Sequence, residues 1–173
     1  MMFGFGAKQR LRRSIHQIHG QIVAATRLPV FYLEFGVPDT FEGRFELLSL
    51  HASLVLRRLQ QLQATAMAQA LADQTFIGLD DAIRQMGVGD AVVPKRIGRM
   101  LEAFTGRMLA YGQALEHQDE SLALALQRNV QAGQGDGQRL ARYVRRFESS
   151  LAGLDLPTLQ NHPLPFPDAA RIE

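Results

Sequence analysis

Residues 31–60, FYLEFGVPDTFEGRFELLSLHASLVLRRLQ, decide the fold. From here onward apolar residues fall at Phe41, Phe45, Leu48, Ala52, Val55, Leu59 and Leu62, in alternating steps of four and three. A second line, Leu47, Leu50 and Leu54, widens the stripe. A strand would scatter these residues over both faces, whereas an α-helix gathers them on one. Pro38 disfavours helix at Val37, Asp39 is placed to cap the free amides, and Glu42 three residues later completes a capping box. The spacing predicts a central helix over 40–62, entered through a tight Gly36-Val37-Pro38 turn.

Upstream, residues 8–27 place Leu11, Ile15, Ile18, Ile22 and Ala25 on one helical face, with the bases largely elsewhere. Pro29 ends that helix, and Phe31–Phe35 form an aromatic turn. Downstream, 63–87 reads as a second long helix with a buried line of Met67, Ala70/Leu71, Gln74, Ile77/Gly78 and Ile83, stopped by Gly87 in the usual C-terminal position. After a turn through Gly89, Asp90 is the expected cap of a third long helix, 92–117. Pro94 is tolerated in its first turn, and its apolar line is Val93, Ile97, Met100/Leu101, Phe104, Met108, Tyr111 and Leu115. Gly98, Gly106 and Gly112 inside it cost ~1 kcal/mol each against alanine, a cost explained if neighbouring helices approach closely there. Asp119 should cap a shorter helix burying Leu122, Leu124, Leu126 and Val130. A flexible glycine joint at 131–137 precedes a last substantial helix, 136–151. No repeat or strand signal appears. The expectation is an all-α, single-domain bundle of about six or seven helices: a flexible start (1–7), a helical domain (8–151) and an extended tail (152–173) carrying Pro157, Pro163, Pro165 and Pro167.

The 46% hydrophobic and 21% charged fractions are those of an ordinary globular protein. With no cysteine, disulfides and thiolate metal sites are excluded. A net charge of +2 is too small for bulk attraction to nucleic acid, but Lys8, Arg10, Arg12, Arg13 and Arg27 all precede the first acid, Glu34. No apolar run reaches the ~18 residues of a membrane span, and the N-terminus lacks the apolar core of a secretory signal. An Arg-rich, acid-poor, amphipathic start also describes a mitochondrial presequence, although the same residues read well as the first helix of the fold.

Reaction machinery is missing from the sequence. There is no nucleophile elbow, phosphate loop or zinc-helix motif, and Gly133, Gly135 and Gly137 lack the preceding strand of a dinucleotide site. His16 and His19 lie three apart on one helix without a third ligand nearby. His51 flanks the central stripe as a packed, hydrogen-bonded histidine, with haem ligation the competing reading. Neither a metal nor a cofactor is expected, and no catalytic residue is assigned. Two basic clusters remain. Arg57 and Arg58 close the central helix, where positive charge suits the dipole. Lys95, Arg96 and Arg99 crowd the start of the third, where it does not, so they are candidate partner-binding residues. Lys8, Arg10, Arg12 and Arg13 are candidates to face an anionic membrane or a ribosome.

Three ordered segments carry a family likeness: FGVPDTFEGRFELLSLHASLVLRRL (35–59), MGVGDAVVPKRIGRMLEAFTGRMLAYGQAL (86–115) and ALQRNV (125–130). Together they resemble the ubiquinol–cytochrome c chaperone family, assembly factors for cytochrome b of the bc1 complex. The likeness spans residues 15–151 and rests on Gly36, Pro38, Asp39, Gly43, Arg44, His51, Gly87, Gly89 and Arg107. Thr105 departs from it, standing where an aromatic residue is expected. The resemblance implies a non-enzymatic chaperone of newly made cytochrome b or other bc1 components, acting with a ribosome, a small partner protein and a transient anionic membrane surface, and having no small-molecule substrate. It also implies the compact alphaproteobacterial form, cytoplasmic and peripheral on the inner membrane, with the mitochondrial matrix as the alternative location. A different class, a ribosome- or RNA-associated helical module, would use the same bases against phosphate and lose binding steeply with salt.

Overall fold

The computed structural model describes residues 3–87, 89, 91–117 and 120–173, without the side chains of residues 3–5. Its helices are α1 (Phe3–Thr26), α2 (Pro29–Leu33), α3 (Phe41–Gln61), α4 (Thr65–Gln85), α5 (Val93–Glu116), α6 (Ser121–Asn129), α7 (Gln138–Ala152) and α8 (Leu156–Asn161), followed by a 3-10 turn at Ala169–Arg171. No strand occurs among the described residues. The architecture is the expected all-α bundle.

Helix α3 is its axis, in contact with α1, α4, α5 and α7. Partners on so many sides bury it nearly all round: an unbroken run from Ser49 to Leu56 lies inside. Within this run Ser53 Oγ donates to the Ser49 and Leu50 carbonyls, and on α4 the buried Thr75 Oγ1 likewise donates to the Leu71 carbonyl. The capping residue is Thr40, not Asp39: the Thr40 hydroxyl accepts from the Gly43 amide at 3.1 Å. Asp39 instead meets Arg44 at 2.7 Å on the surface. Gly43 is forced by proximity, since a Cβ there would stand 2.0 Å from the Pro38 carbonyl oxygen. The 36–38 turn therefore lies directly on the first turn of α3.

Several expectations about burial fail for a common reason: periodicity locates a stripe but not its width. In α4 the inward residues are Met67, Ala68, Leu71, Thr75, Leu79 and Ile83, while Ile77 is 58% exposed. In α6 Leu122 and Leu126 are buried, but Leu124 between them is 60% exposed, facing away on a helix that covers the core with one side. Close helix approach does not explain Gly98 and Gly106, because a Cβ at either would meet nothing within 4 Å; at Gly112 it would meet the Arg57 guanidinium at 3.3 Å. Asp90 and Asp119, the expected caps of α5 and α6, lie outside the described residues.

Residues 131–137 are not the flexible joint expected. The buried Gln131 amide donates to the Phe35 carbonyl at 2.6 Å and accepts from the Gly137 amide at 2.9 Å. At Gly137, where φ is +72°, a Cβ would also collide with the Ala123 carbonyl oxygen at 1.9 Å. The glycine is there for left-handed backbone and close approach together. The tail is likewise more than an extended strand. It contains α8, buries Leu159, Leu164, Ala169 and Ile172, and stacks Phe166 on Phe147 at 4.7 Å between ring centres. The Leu164 amide donates to Gln21 of α1 at 2.6 Å.

Candidate functional site

The histidine of the central stripe is closed to ligands. His51 is fully buried; its Nδ1 lies 2.8 Å from the Leu47 carbonyl and its Nε2 2.9 Å from the Tyr143 hydroxyl. A carbonyl only accepts, so Nδ1 carries the proton and the Tyr143 hydroxyl donates to Nε2. Phe31, Tyr143, Phe147 and Phe166 surround the ring at 5.5–6.0 Å. Desolvation pushes its pKa down to about 4, against a smaller opposing effect of the Leu47 bond. His51 is a neutral core residue with both nitrogens occupied. His16 is exposed and His19 half-buried, and no group of three ligating side chains is found among the described residues.

The candidate basic residues divide by whether their charge is already answered. Arg57 reaches Glu116 at 3.4 Å, and Arg58 donates to the Leu154 carbonyl, tying α3 to the start of the tail. Arg96 pairs with Glu42 at 3.2 Å and covers the Phe41 ring, its guanidinium carbon 4.9 Å from the centroid. Lys95 and Arg99 are exposed and, among the described residues, have no ion-pair partner. Lys8, Arg10, Arg12 and Arg13 are all exposed on α1.

The residues carrying the family likeness have structural tasks. Gly36 and Gly87 adopt left-handed backbone, with φ of +68° and +76°. Arg107 joins α5 to α3 through two 2.7 Å bonds to the Glu46 carboxylate. Gly43, Pro38, Asp39 and Arg44 build the entry to α3 as described, and His51 anchors the aromatic core. Gly89 has open space around its Cα. Thr105 sits exposed on α5, its hydroxyl donating to the Leu101 carbonyl.

Sequence reasoning missed an apolar groove. A groove of about 490 Å³ runs between α4 and α5, with Leu56, Ala68, Ala72, Phe76, Phe104 and Met108 among its walls and Leu101 on its rim. It continues past Phe76 to a shallow recess with Ile77, Asp80 and Asp81. Ile77, Leu101 and Leu109 are 58%, 48% and 63% exposed. Expected in the core, Ile77 and Leu101 stand on this surface. The available signal was pairing of adjacent apolar residues, Met100/Leu101 and Met108/Leu109: on one helix only one of each pair can point fully inward.

A second recess, of about 320 Å³, opens between α1, α3 and α4. Phe41, Phe45, Leu48 and Leu79 line it, with Arg27, Tyr32, Arg44 and His19. No helix among the described residues is long and apolar enough to cross a membrane.

Known proteins resemble this arrangement closely. The crystal structure of the Cbp3 homolog from Brucella abortus superposes with a TM-score of 0.85 at 34% identity, covering 98% of this chain and 97% of that one. Ubiquinol-cytochrome c reductase complex assembly factor 1 of Mus musculus is 26% identical over 159 residues, 87% of this chain and 54% of that protein. The Homo sapiens protein of the same name is 25% identical over 87% of this chain and 53% of its own length. The chain thus spans about half the length of these two relatives. With the model of the ubiquinol-cytochrome C chaperone family running from residue 33 to residue 166, through α3 to α8 and so through the groove and all of the aromatic cluster but Phe31, this chain belongs to that family.

Proposed function

We propose that the chain is a non-enzymatic assembly chaperone that holds an apolar helix of newly made cytochrome b in the α4–α5 groove during biogenesis of the bc1 complex. The observation that carries this reading is an apolar channel with the exposed Leu101 on its rim, leading past Phe76 to the exposed Ile77. Large exposed apolar patches on a soluble fold mark interaction sites, and an amphipathic or apolar helix laid in a groove is a recurring mode of capture. The helix-sized partner fits a family of chaperones for a membrane complex. The exposed Lys95 and Arg99 near the start of α5 suit an acidic segment of such a client and would steer the encounter. The exposed bases of α1 support weak, reversible contact with an anionic surface, worth about 1 kcal/mol per residue. Such a framework binds and releases without making or breaking bonds.

The test is complementation of a deletion strain with Ile77→Glu/Leu101→Glu. Both side chains are exposed, so the variant should fold with an unchanged circular dichroism spectrum yet fail to co-purify cytochrome b and fail to restore assembled bc1 complex. Normal levels of haem-loaded cytochrome b in the deletion strain itself would defeat the proposal. Reversal of charge at Lys95 and Arg99 should weaken co-purification in a salt-dependent way; Arg96 is left intact because it is paired within the fold.

A further inference from the structure

We infer that the recess between α1, α3 and α4 is a binding site for a single-chain anionic amphiphile, with its tail on the apolar floor and a carboxylate or phosphate headgroup against Arg27 and Arg44. The floor is made by Phe41, Phe45, Leu48 and Leu79, and its volume of about 320 Å³ falls at the small end of ligand pockets. The mouth is cationic. Arg44 lies over the Tyr32 ring, its guanidinium carbon 5.2 Å from the centroid, and Arg27 is close enough for its charge to act on the same phenol.

The charge is only partly answered. Asp39 takes one bond from Arg44 at 2.7 Å, while Arg27 has no ion-pair partner among the described residues. Two guanidinium groups thus face one carboxylate. The acids of α4 do not alter this balance, because Asp73, Asp80 and Asp81 line the recess on the other side of that helix, with Phe76 and Ile77. Burial and the neighbouring His16 both push the His19 pKa down, so this wall is neutral at pH 7.

The hydroxyls fix the orientation of the ligand. Thr26 donates to the Val23 carbonyl at 2.8 Å, Thr75 to Leu71 at 2.9 Å, and Tyr32 to the Thr26 carbonyl. Every hydroxyl proton in the recess is therefore committed to backbone, and only lone pairs are presented to a guest. An anion gains nothing inside; it is held at the rim by guanidinium donors, and the interior suits methylene groups.

Calorimetric titration of the intact chain with dodecanoate and with dodecyl phosphate, each below its micelle concentration, tests this. Dodecanol, acetate and inorganic phosphate supply the tail alone and the headgroups alone. We expect one-to-one binding of at least one of the two anionic amphiphiles, the comparison of the two showing which headgroup is preferred. Dodecanol should bind about tenfold more weakly, as should the preferred amphiphile to Arg27→Gln. Gly78 lines the recess, and a Cβ there would reach His19 Cε1 at an ordinary 3.6 Å, so Gly78→Leu should fill the space and abolish binding. Arg27 is exposed, so its variant remains informative if Gly78→Leu unfolds. Absence of binding by both amphiphiles, equal binding of dodecanol, equal binding of the tail-less anions, or unchanged affinity in Arg27→Gln would each overturn the inference. Unchanged affinity in a folded Gly78→Leu would do the same, pointing to the α4–α5 groove instead.

Discussion

Replacing His51 separates packing from protonation. The folded ring resists a proton down to pH of about 4, whereas an unfolded histidine takes one near 6.5. Between those values the unfolded state binds more protons, so stability falls as the pH falls through the window, and nothing is lost above it. The full shift corresponds to about 3 kcal/mol. Urea unfolding at pH 7 and pH 4 should show that loss in the parent chain, beyond any from other groups, and a correspondingly smaller one in His51→Leu. The variant should also be destabilised at pH 7, because the buried Tyr143 hydroxyl is left without its acceptor. An identical pH dependence in both proteins would contradict the buried, neutral assignment. His51 could be read from sequence as packed, since it flanks an apolar stripe. Its partner could not, because Tyr143 lies on α7 and the two meet only through the fold.

Helices announce themselves through local chemistry, and their limits were legible for that reason. The expected 40–62, 63–87 and 92–117 became Phe41–Gln61, Thr65–Gln85 and Val93–Glu116. What local chemistry leaves open is which of two adjacent capping residues turns inward. Asp39 and Thr40 are both good N-caps, and the choice of Thr40 frees Asp39 for Arg44. Thr40→Ala should therefore cost about 1 kcal/mol, and Asp39→Ala less, since its ion pair is exposed. Comparable losses in thermal unfolding would reopen the assignment. Gly43→Ala should cost more than Thr40→Ala, about 1–3 kcal/mol, as the Pro38 backbone is displaced by the new methyl group. The groove was illegible for a different reason. Leu101 and Ile77 satisfy a helical period as well as any core residue, and only the placement of neighbouring helices leaves them outside.

At the scale of the molecule, the tail belongs to the packed structure. Leu164 is buried, its amide is held by Gln21, and the adjoining Phe166 contributes to the aromatic cluster around His51. Leu164→Ala should cost about 2–5 kcal/mol in a single cooperative transition. A loss below that range, or a separate early transition, would show the tail to be an independent appendage. The prolines that suggested an extended coil say only that residues 156–173 make few ladder bonds, and nothing about burial.

The Gln131 amide spans the Phe35 carbonyl and the Gly137 amide, and so joins segments that leave a ribosome far apart in time. Until the chain has been made past Tyr143, Phe31 and Phe35 lack that ring to pack on, and until Gln131 is made the Phe35 carbonyl lacks its donor. A growing chain would therefore carry its α1–α4 half with an unroofed aromatic surface, and complete it late. This member of a chaperone family thus passes through an unfinished stage of its own.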